Sequence, residues 1–292
     1  MKAPQSKKNQ PPLFGFIVMC ILYFSCLCRC SSPNIDTDRA ESNLNGKVKS
    51  LTEVSYEAIE RFGKIEKGKI LHEDLQKVFN ENGNEIESTQ YSSTGDYYLK
   101  WNYSYDDFGK KVDGSRFISD DSSTIKFSFV YDNRGNQIEM ATYNSDGSIE
   151  EKRTRVYDEF DNEIELSIYD SDGSLKDKIT YKYDENGNKI ELDARQGASL
   201  YRVSYIFDDD KNVIESMSWN NFSKDSASLK STFTYDDYGN IIEDVQYDRN
   251  GSVAIKENFK YTYDKEGNWN QRVTYQGHSA KLLTERTIEY FE

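Results

Sequence analysis

The chain has 292 residues, a formal net charge of −14 and a hydrophobic share of 36%. That is enough for one large domain or two small ones, with a thin, one-sided core rather than a thick one. A balance this acidic excludes neutralising a run of phosphates, so nucleic acid is not an expected partner, and it excludes simple adhesion to anionic lipid headgroups.

The N-terminus differs from the rest. Residues 1–12, MKAPQSKKNQPP, are basic through Lys2, Lys7 and Lys8, and residues 13–25, LFGFIVMCILYFS, are nearly unbroken apolar sequence. That run is short for a membrane span and suits the hydrophobic region of a secretory signal. All four cysteines, Cys20, Cys26, Cys28 and Cys30, lie in this region, so no disulfide staples the remainder of the chain. A cysteine after such a run resembles the lipobox of bacterial lipoproteins. Cys26 follows the small residue Ser25 and is the expected acylated residue; Cys30, with Leu27 upstream, is the alternative, and an ordinary signal peptide or uncleaved anchor stays open. The expected organisation is a signal over 1–25, a polar flexible tether over 26–46 and a repeat domain over 47–292.

From there one motif recurs: VFNENGNEIE, SYDDFGKKVD, VYDNRGNQIE, VYDEFDNEIE, YKYDENGNKIE, IFDDDKNVIE, TYDDYGNIIE and TYDKEGNWNQ. Aligned on the aromatic before Asp or Asn, the anchors are Phe79, Tyr105, Tyr131, Tyr157, Tyr183, Phe207, Tyr235 and Tyr263, spaced 24 to 28 residues apart. A period of this size marks an array of one supersecondary unit. Each unit holds two alternating runs and two Gly-containing turns, which reads as a β-hairpin with connections too short for parallel crossovers. The stretch 46–79 reads as a longer first copy, with strands near 47–58 and 69–79. Nine hairpins predict an all-β, repetitive antiparallel meander of about 18 strands, curled as a single sheet, with no sizeable helix after residue 46.

The two strand faces carry different chemistry. One presents mostly aromatics, such as Tyr181 and Tyr183 beside Ile179, and the first strand adds an aliphatic: Ile86, Val112, Ile138, Ile164, Ile190, Ile214 or Ile242. A four-residue turn sets Tyr181 opposite Ile190 and Thr180 opposite Glu191. The other face carries acids, among them Glu139, Glu165 and Glu243, and four residues further on the aromatics Tyr91, Tyr143, Tyr169, Trp219 and Tyr247. A row of rings beside a row of carboxylates is the candidate ligand face, for an extended glycan or a cationic protein segment.

The recurring YDENGN, YDNRGNQI and YDDYGNII resemble the YD repeat of the rearrangement-hotspot and teneurin-like families over about residues 75–290. The resemblance implies hairpins that spiral. The chain looks like short lipoproteins with a few such repeats, without the toxin or autoprotease segment of the large families.

Catalytic constellations are not found. His72 and His278 are far apart, the repeats lack cysteine for a nucleophile or zinc cluster, and the NSDGS, DSDGS and DRNGS turns lack the ligand spacing of a calcium loop. The expectation is a non-enzymatic binding or scaffold module, lipid-anchored in a Gram-negative cell envelope, with no metal or cofactor. The alternative is an exported enzyme, for example a carbohydrate-active one, or a toxin-associated repeat protein.

Overall fold

The structure is a computed structural model that describes residues 37–91, 97–119, 122–220 and 229–292, with backbone alone at 72–74 and 97. Cys26 and Cys30 lie outside the described residues. A short helix, α1 (Asp38–Glu41), precedes eighteen strands. They are β1 (Val48–Arg61), β2 (Lys64–Phe79), β3 (Glu85–Tyr91), β4 (Tyr97–Tyr105), β5 (Lys111–Ile118), β6 (Ser123–Tyr131), β7 (Gln137–Tyr143), β8 (Ile149–Tyr157) and β9 (Glu163–Asp170). Then come β10 (Leu175–Tyr183), β11 (Lys189–Gln196), β12 (Ser199–Phe207), β13 (Val213–Asn220), β14 (Leu229–Tyr235), β15 (Ile241–Tyr247), β16 (Val253–Tyr263), β17 (Trp269–Gln276) and β18 (Ser279–Tyr290).

Each strand pairs antiparallel with its sequence neighbours, and β1 also pairs with β18, from Val48↔Tyr290 to Glu57↔Leu282. The meander is therefore a closed 18-stranded barrel rather than a curled sheet with free edges. Closure removes the unpaired N–H and C=O groups that an open sheet leaves on its edge strands. Ser55 and Thr284, which face each other across the seam, are buried and share a hydrogen bond at 3.2 Å. The first hairpin is longer than its sequence suggests: β1 and β2 run through the expected loop to a tight turn at Phe62 and Gly63, both at positive φ.

The repeat motif is a turn with a built-in bulge. In the turn between β10 and β11 Asp184 N–H donates to Asn188 O, Gly187 N–H donates to Asp184 O, and the Asp184 carboxylate accepts from the backbone N–H groups of Asn186 and Asn188. Gly187 has φ 79°, a conformation that suits glycine; Asp161 and Lys211 hold the same turn position at φ 65° and 64°. Asn188 thus belongs to a five-residue turn, and Tyr183 pairs with Lys189. The next residue, Ile190, is left out of the ladder as a β-bulge.

These two extra residues correct the expected register. Tyr181 faces Leu192 rather than Ile190, and Glu191 faces Lys182 rather than Thr180. Because the slip is two residues, both strands keep their faces. Ile86, Val112, Ile138, Ile164, Ile214 and Ile242 are bulge residues in the same way, and Ile86, Val112, Ile214 and Ile242 are exposed. The Ser and Thr partners of the acids come from the following strand: Glu139↔Thr154, Glu165↔Thr180, Glu191↔Ser204 and Glu215↔Thr232.

The anchor tyrosines explain why that residue recurs. The β7–β8 ladder stops at Glu139↔Thr154, which leaves the Gln137 carbonyl without a ladder partner; Tyr157 Oη donates to it at 2.9 Å. Tyr183 does the same for Glu163 at 2.7 Å, Tyr235 for Val213 at 2.7 Å and Tyr105 for Glu85 at 2.6 Å. In the penultimate hairpin Tyr261 takes over, donating to Ile241 at 2.8 Å. Each hydroxyl ties the two strands of its hairpin together beyond the point where their ladder ends.

Within the segment expected as a tether, residues 37–46 dock on this same rim. The Asp38 carboxylate accepts from Glu85 N–H, Tyr105 Oη and Lys111 Nζ, and Asn45 exchanges two hydrogen bonds with Asn268. Leu44 joins Val48, Leu51 and Phe79 in a buried apolar cluster.

Candidate functional site: the outer wall and the lumen

A closed barrel has two faces. One carries Trp101, Tyr103, Phe127, Phe129, Ile179 and Tyr181, together with Arg116, Arg153 and Arg155; several of these line a cavity, so this face is the lumen. The other carries the acid and aromatic columns and is the outer wall. Cross-strand pairs fix the assignment, for example Trp101↔Arg116 and Phe129↔Met140 inside, and Glu139↔Thr154 outside.

The outer wall holds all the residues of the candidate ligand face together, yet its acids are occupied. Each is bridged diagonally by a lysine on the next strand: Glu139 by Lys152 at 2.5 Å, Glu165 by Lys178 at 2.7 Å and Glu243 by Lys256 at 2.8 Å. The same contact joins Glu87 to Lys100 at 2.9 Å and Glu215 to Lys230 at 2.7 Å, and across the seam Glu285 of β18 reaches past β1 to Lys67 of β2 at 2.6 Å. Hydrogen bonds from Lys178 hold the Glu165 carboxyl below its usual range, and Lys256 with Asn258 does so for Glu243. Since the acids sit at one level in their strands, the pairs form a belt of charge around the barrel. The lysine stems, with the aromatics, cover the small residues between them, so that Ala141, Ser167 and Val245 are buried.

Tyr91, Tyr143, Tyr169, Trp219 and Tyr247 are half-buried rather than open. Tyr143 shares a hydrogen bond with Ser128 and Tyr91 donates to Gln76, while Lys230 lies over the Tyr247 ring. Covering their own wall accounts for most of what these rings do, and a continuous row of exposed ring faces is not present.

The lumen was the part that sequence reasoning missed. Between β4 and β10 its wall bounds a cavity of about 600 Å³, within the ordinary range for a small-ligand site. Trp101, Tyr103, Phe127, Phe129 and Met140 supply apolar and aromatic surface, and Lys111, Arg116, Arg153, Arg155, Lys176, Glu150, Glu151 and Asp170 supply charge. Eighteen strands enclose more space than side chains from one wall can fill. Gly114 shapes this wall: a Cβ there would lie 2.9 Å from the Tyr103 ring and 3.1 Å from the Phe127 ring, so glycine lets the two aromatics close over β5.

The charges are unevenly satisfied. Arg153 pairs with Glu151 at 2.8 Å, Lys176 bridges Glu151 and Asp170, and Lys111 is held by Asp38. Arg155 reaches Glu163 at 3.4 Å while its Nη1 is buried without a partner. Arg116 has no ion pair among the described residues, and its buried Nε has no hydrogen-bond partner. Burial pushes the Glu163 carboxyl above its ordinary value, with Arg155 pulling the other way, and pushes the Tyr103 phenol up to about 12, helped by Glu85 and Asp38. The signal for this site was present in the sequence as basic residues on the aromatic face, but that this face encloses a cavity follows only from closure.

Elsewhere in the lumen, Arg286 lies 3.5 Å from the Trp269 ring centre and 2.6 Å from Glu53, a cation–π and ion-pair knot beside the seam. Among the described residues no group of three or more His, Cys, Asp or Glu is placed to hold a metal ion.

No protein-family profile matches the chain, and no curated protein does. Solved structures similar to it include a porin-like protein from Bacteroides uniformis, at 9% identity and a TM-score of 0.44, covering 84% of this chain and 99% of that one. A porin-like protein from Bacteroides vulgatus is similar at 13% identity and a TM-score of 0.38, covering 84% and 98%. The Photorhabdus luminescens Tc holotoxin pore is similar at 12% identity and a TM-score of 0.35, covering 78% of this chain and 15% of that one.

Proposed function

We propose that this chain is a lipid-anchored binding module of a Gram-negative cell envelope, with a YD-like hairpin barrel that stands beside the bilayer rather than across it. The belt of Glu–Lys pairs carries this reading. A transmembrane barrel turns an apolar band about 25 Å tall toward the lipid, and charged residues at mid-depth there cost roughly 2–4 kcal/mol each. Here the middle of the outer wall is occupied by Glu87–Lys100, Glu139–Lys152, Glu165–Lys178, Glu215–Lys230 and Glu243–Lys256. Water suits that surface and hydrocarbon does not. Among the described residues no helix is long and apolar enough to cross a membrane.

Attachment then falls to the N-terminal segment, with Cys26, or in its place Cys30, as the acylated residue. A diacylated and amidated cysteine would leave the membrane slowly, since each buried CH₂ contributes roughly 0.8 kcal/mol. The test is fractionation with an alkaline carbonate wash. The wild-type chain should stay with the membrane and take up labelled palmitate. Cys26→Ser, or the double change with Cys30→Ser, should lose the label and move to the soluble fraction with its barrel folded. A label-free variant that still resists the wash would show that the strands themselves cross the bilayer.

A further inference from the structure

We infer that the lumen wall between β4 and β8 is a binding site for an acidic saccharide, one whose rings carry carboxylate or sulfate groups. The inference rests on the binding-module reading above and names the ligand class that such a module would take.

The cavity combines two features that are rarely useful apart. Its floor is aromatic, with Trp101 and Tyr103 on β4 and Phe127 and Phe129 on β6, either side of β5. Flat rings of this kind take the C–H face of a pyranose. Beside them stand five cations and three acids, an excess of two positive charges in a chain whose net charge is −14. Asp38 and Glu163, from outside the lining, meet part of that excess through Lys111 and Arg155, but neither pairs with Arg116. Arg153, Lys176 and Lys111 have acidic partners at 2.7–3.6 Å, and what remains is Arg116 and one arm of Arg155.

Burying an unpartnered guanidinium nitrogen is costly unless something accepts its protons. Arg116 Nε and Arg155 Nη1 are both in that condition, and both residues line the same cavity. A planar fork of donors matches a carboxylate or sulfate better than a hydroxyl. Trp101 lies directly across the β4–β5 ladder from Arg116, so a sugar stacked on the indole would hold its acidic substituent next to the guanidinium. An acidic peptide would satisfy the arginines but has less use for the ring floor, which is why the saccharide is favoured. On the outer wall the comparable cations are already neutralised by glutamates.

The test is calorimetry on the full chain in detergent, with four probes: a galacturonate hexamer, a sulfated chondroitin hexamer, a neutral maltohexaose and a glutamate hexapeptide. At least one acidic saccharide should bind, tenfold or more tighter than maltohexaose and the peptide, and more weakly as salt rises. Preference between the first two tells whether carboxylate or sulfate is the recognised group. Arg116→Gln and Arg155→Gln should each weaken that binding tenfold or more, and Lys178→Gln on the outer wall should leave it unchanged. Melting curves of the same variants confirm folding, and quenching of Trp101 fluorescence, lost in Trp101→Phe, confirms the place. Equal binding of maltohexaose, tighter binding of the peptide, insensitivity to both arginine changes, or no binding of any probe would each overturn the inference. The carbonate wash reads attachment and not the lumen, so the two proposals fail separately.

Discussion

Replacing the hairpin-tying tyrosines by phenylalanine removes one hydroxyl per site and nothing else. Tyr157, Tyr183 and Tyr235 donate to the carbonyls of Gln137, Glu163 and Val213 at 2.9, 2.7 and 2.7 Å. These carbonyls lie just beyond the last pair of the ladder with the following strand, so that ladder does not take them up. They are at a rim, where water can replace part of what is lost, so the typical net value of about 0.5–1.5 kcal/mol per bond applies. The three sites belong to separate hairpins and should add. The triple variant should therefore lose about 1.5–4.5 kcal/mol, and with about 2–4 °C per kcal/mol for a domain of this size its Tm should fall by about 3–18 °C. Thermal melting followed by circular dichroism measures this directly. The single change Tyr157→Ala, which also deletes the ring, should cost more, on the order of 3–5 kcal/mol as for other large aromatics. A triple phenylalanine variant that melts with the wild type, or a Tyr157→Phe variant as damaged as Tyr157→Ala, would refute the role given to the hydroxyls.

The same geometry sets other outcomes. Burial pushes Tyr157 and Tyr103 up to about 12, so the fold favours their neutral form; the stability they contribute is present below the ordinary phenol value near 10 and is lost as pH rises through about 12, which phenolate absorbance tracked alongside unfolding will show. The turn carboxylates Asp132, Asp158 and Asp184 are desolvated, which pulls upward, but hydrogen bonds from Asn136, Asn162 and Asn188 outweigh it and hold them low; their contribution is present above about pH 4 and fades as pH falls further, measurable as a drop in urea midpoint. Gly114→Val should force the Tyr103 and Phe127 rings apart and cost about 1–3 kcal/mol by overpacking, read by urea titration. Glu165→Ala, on the outer belt, should cost less than about 1 kcal/mol, and less still in high salt.

Much of the fold was legible because the motif repeats. The Asp-x-x-Gly turns, the alternation of faces and the count of hairpins all arise from local chemistry, and each copy supports the next. The register was not legible to the same degree. Asn188 reads as the first strand residue, but its N–H is spent on Asp184; Ile190 reads as a core position, but it is the bulge. A turn one residue longer and a bulge of one residue together shift Tyr181 from Ile190 to Leu192, and neither leaves a mark on hydrophobic alternation. Closure depends on β1 meeting β18, two segments more than 200 residues apart whose mutual fit no local pattern encodes. For the same reason the outer acids looked like free ligands: their lysine partners, such as Lys178 for Glu165, lie across a ladder whose register had first to be known. Arg116 and Arg155 gave no periodic signal at all, because they depart from the repeat rather than belong to it.

The closing seam is the most direct test of the barrel. In a variant whose native cysteines are replaced by serine, Thr52→Cys with Thr287→Cys places two thiols on facing residues of β1 and β18, and Ser115→Cys with Lys126→Cys does the same for the neighbouring strands β5 and β6 as a control. The barrel predicts that mild oxidation cross-links both pairs within one chain. An open sheet of this many strands would set the first pair up to roughly 80 Å apart at ~4.8 Å per strand, so a control that cross-links while Thr52→Cys and Thr287→Cys do not would contradict it.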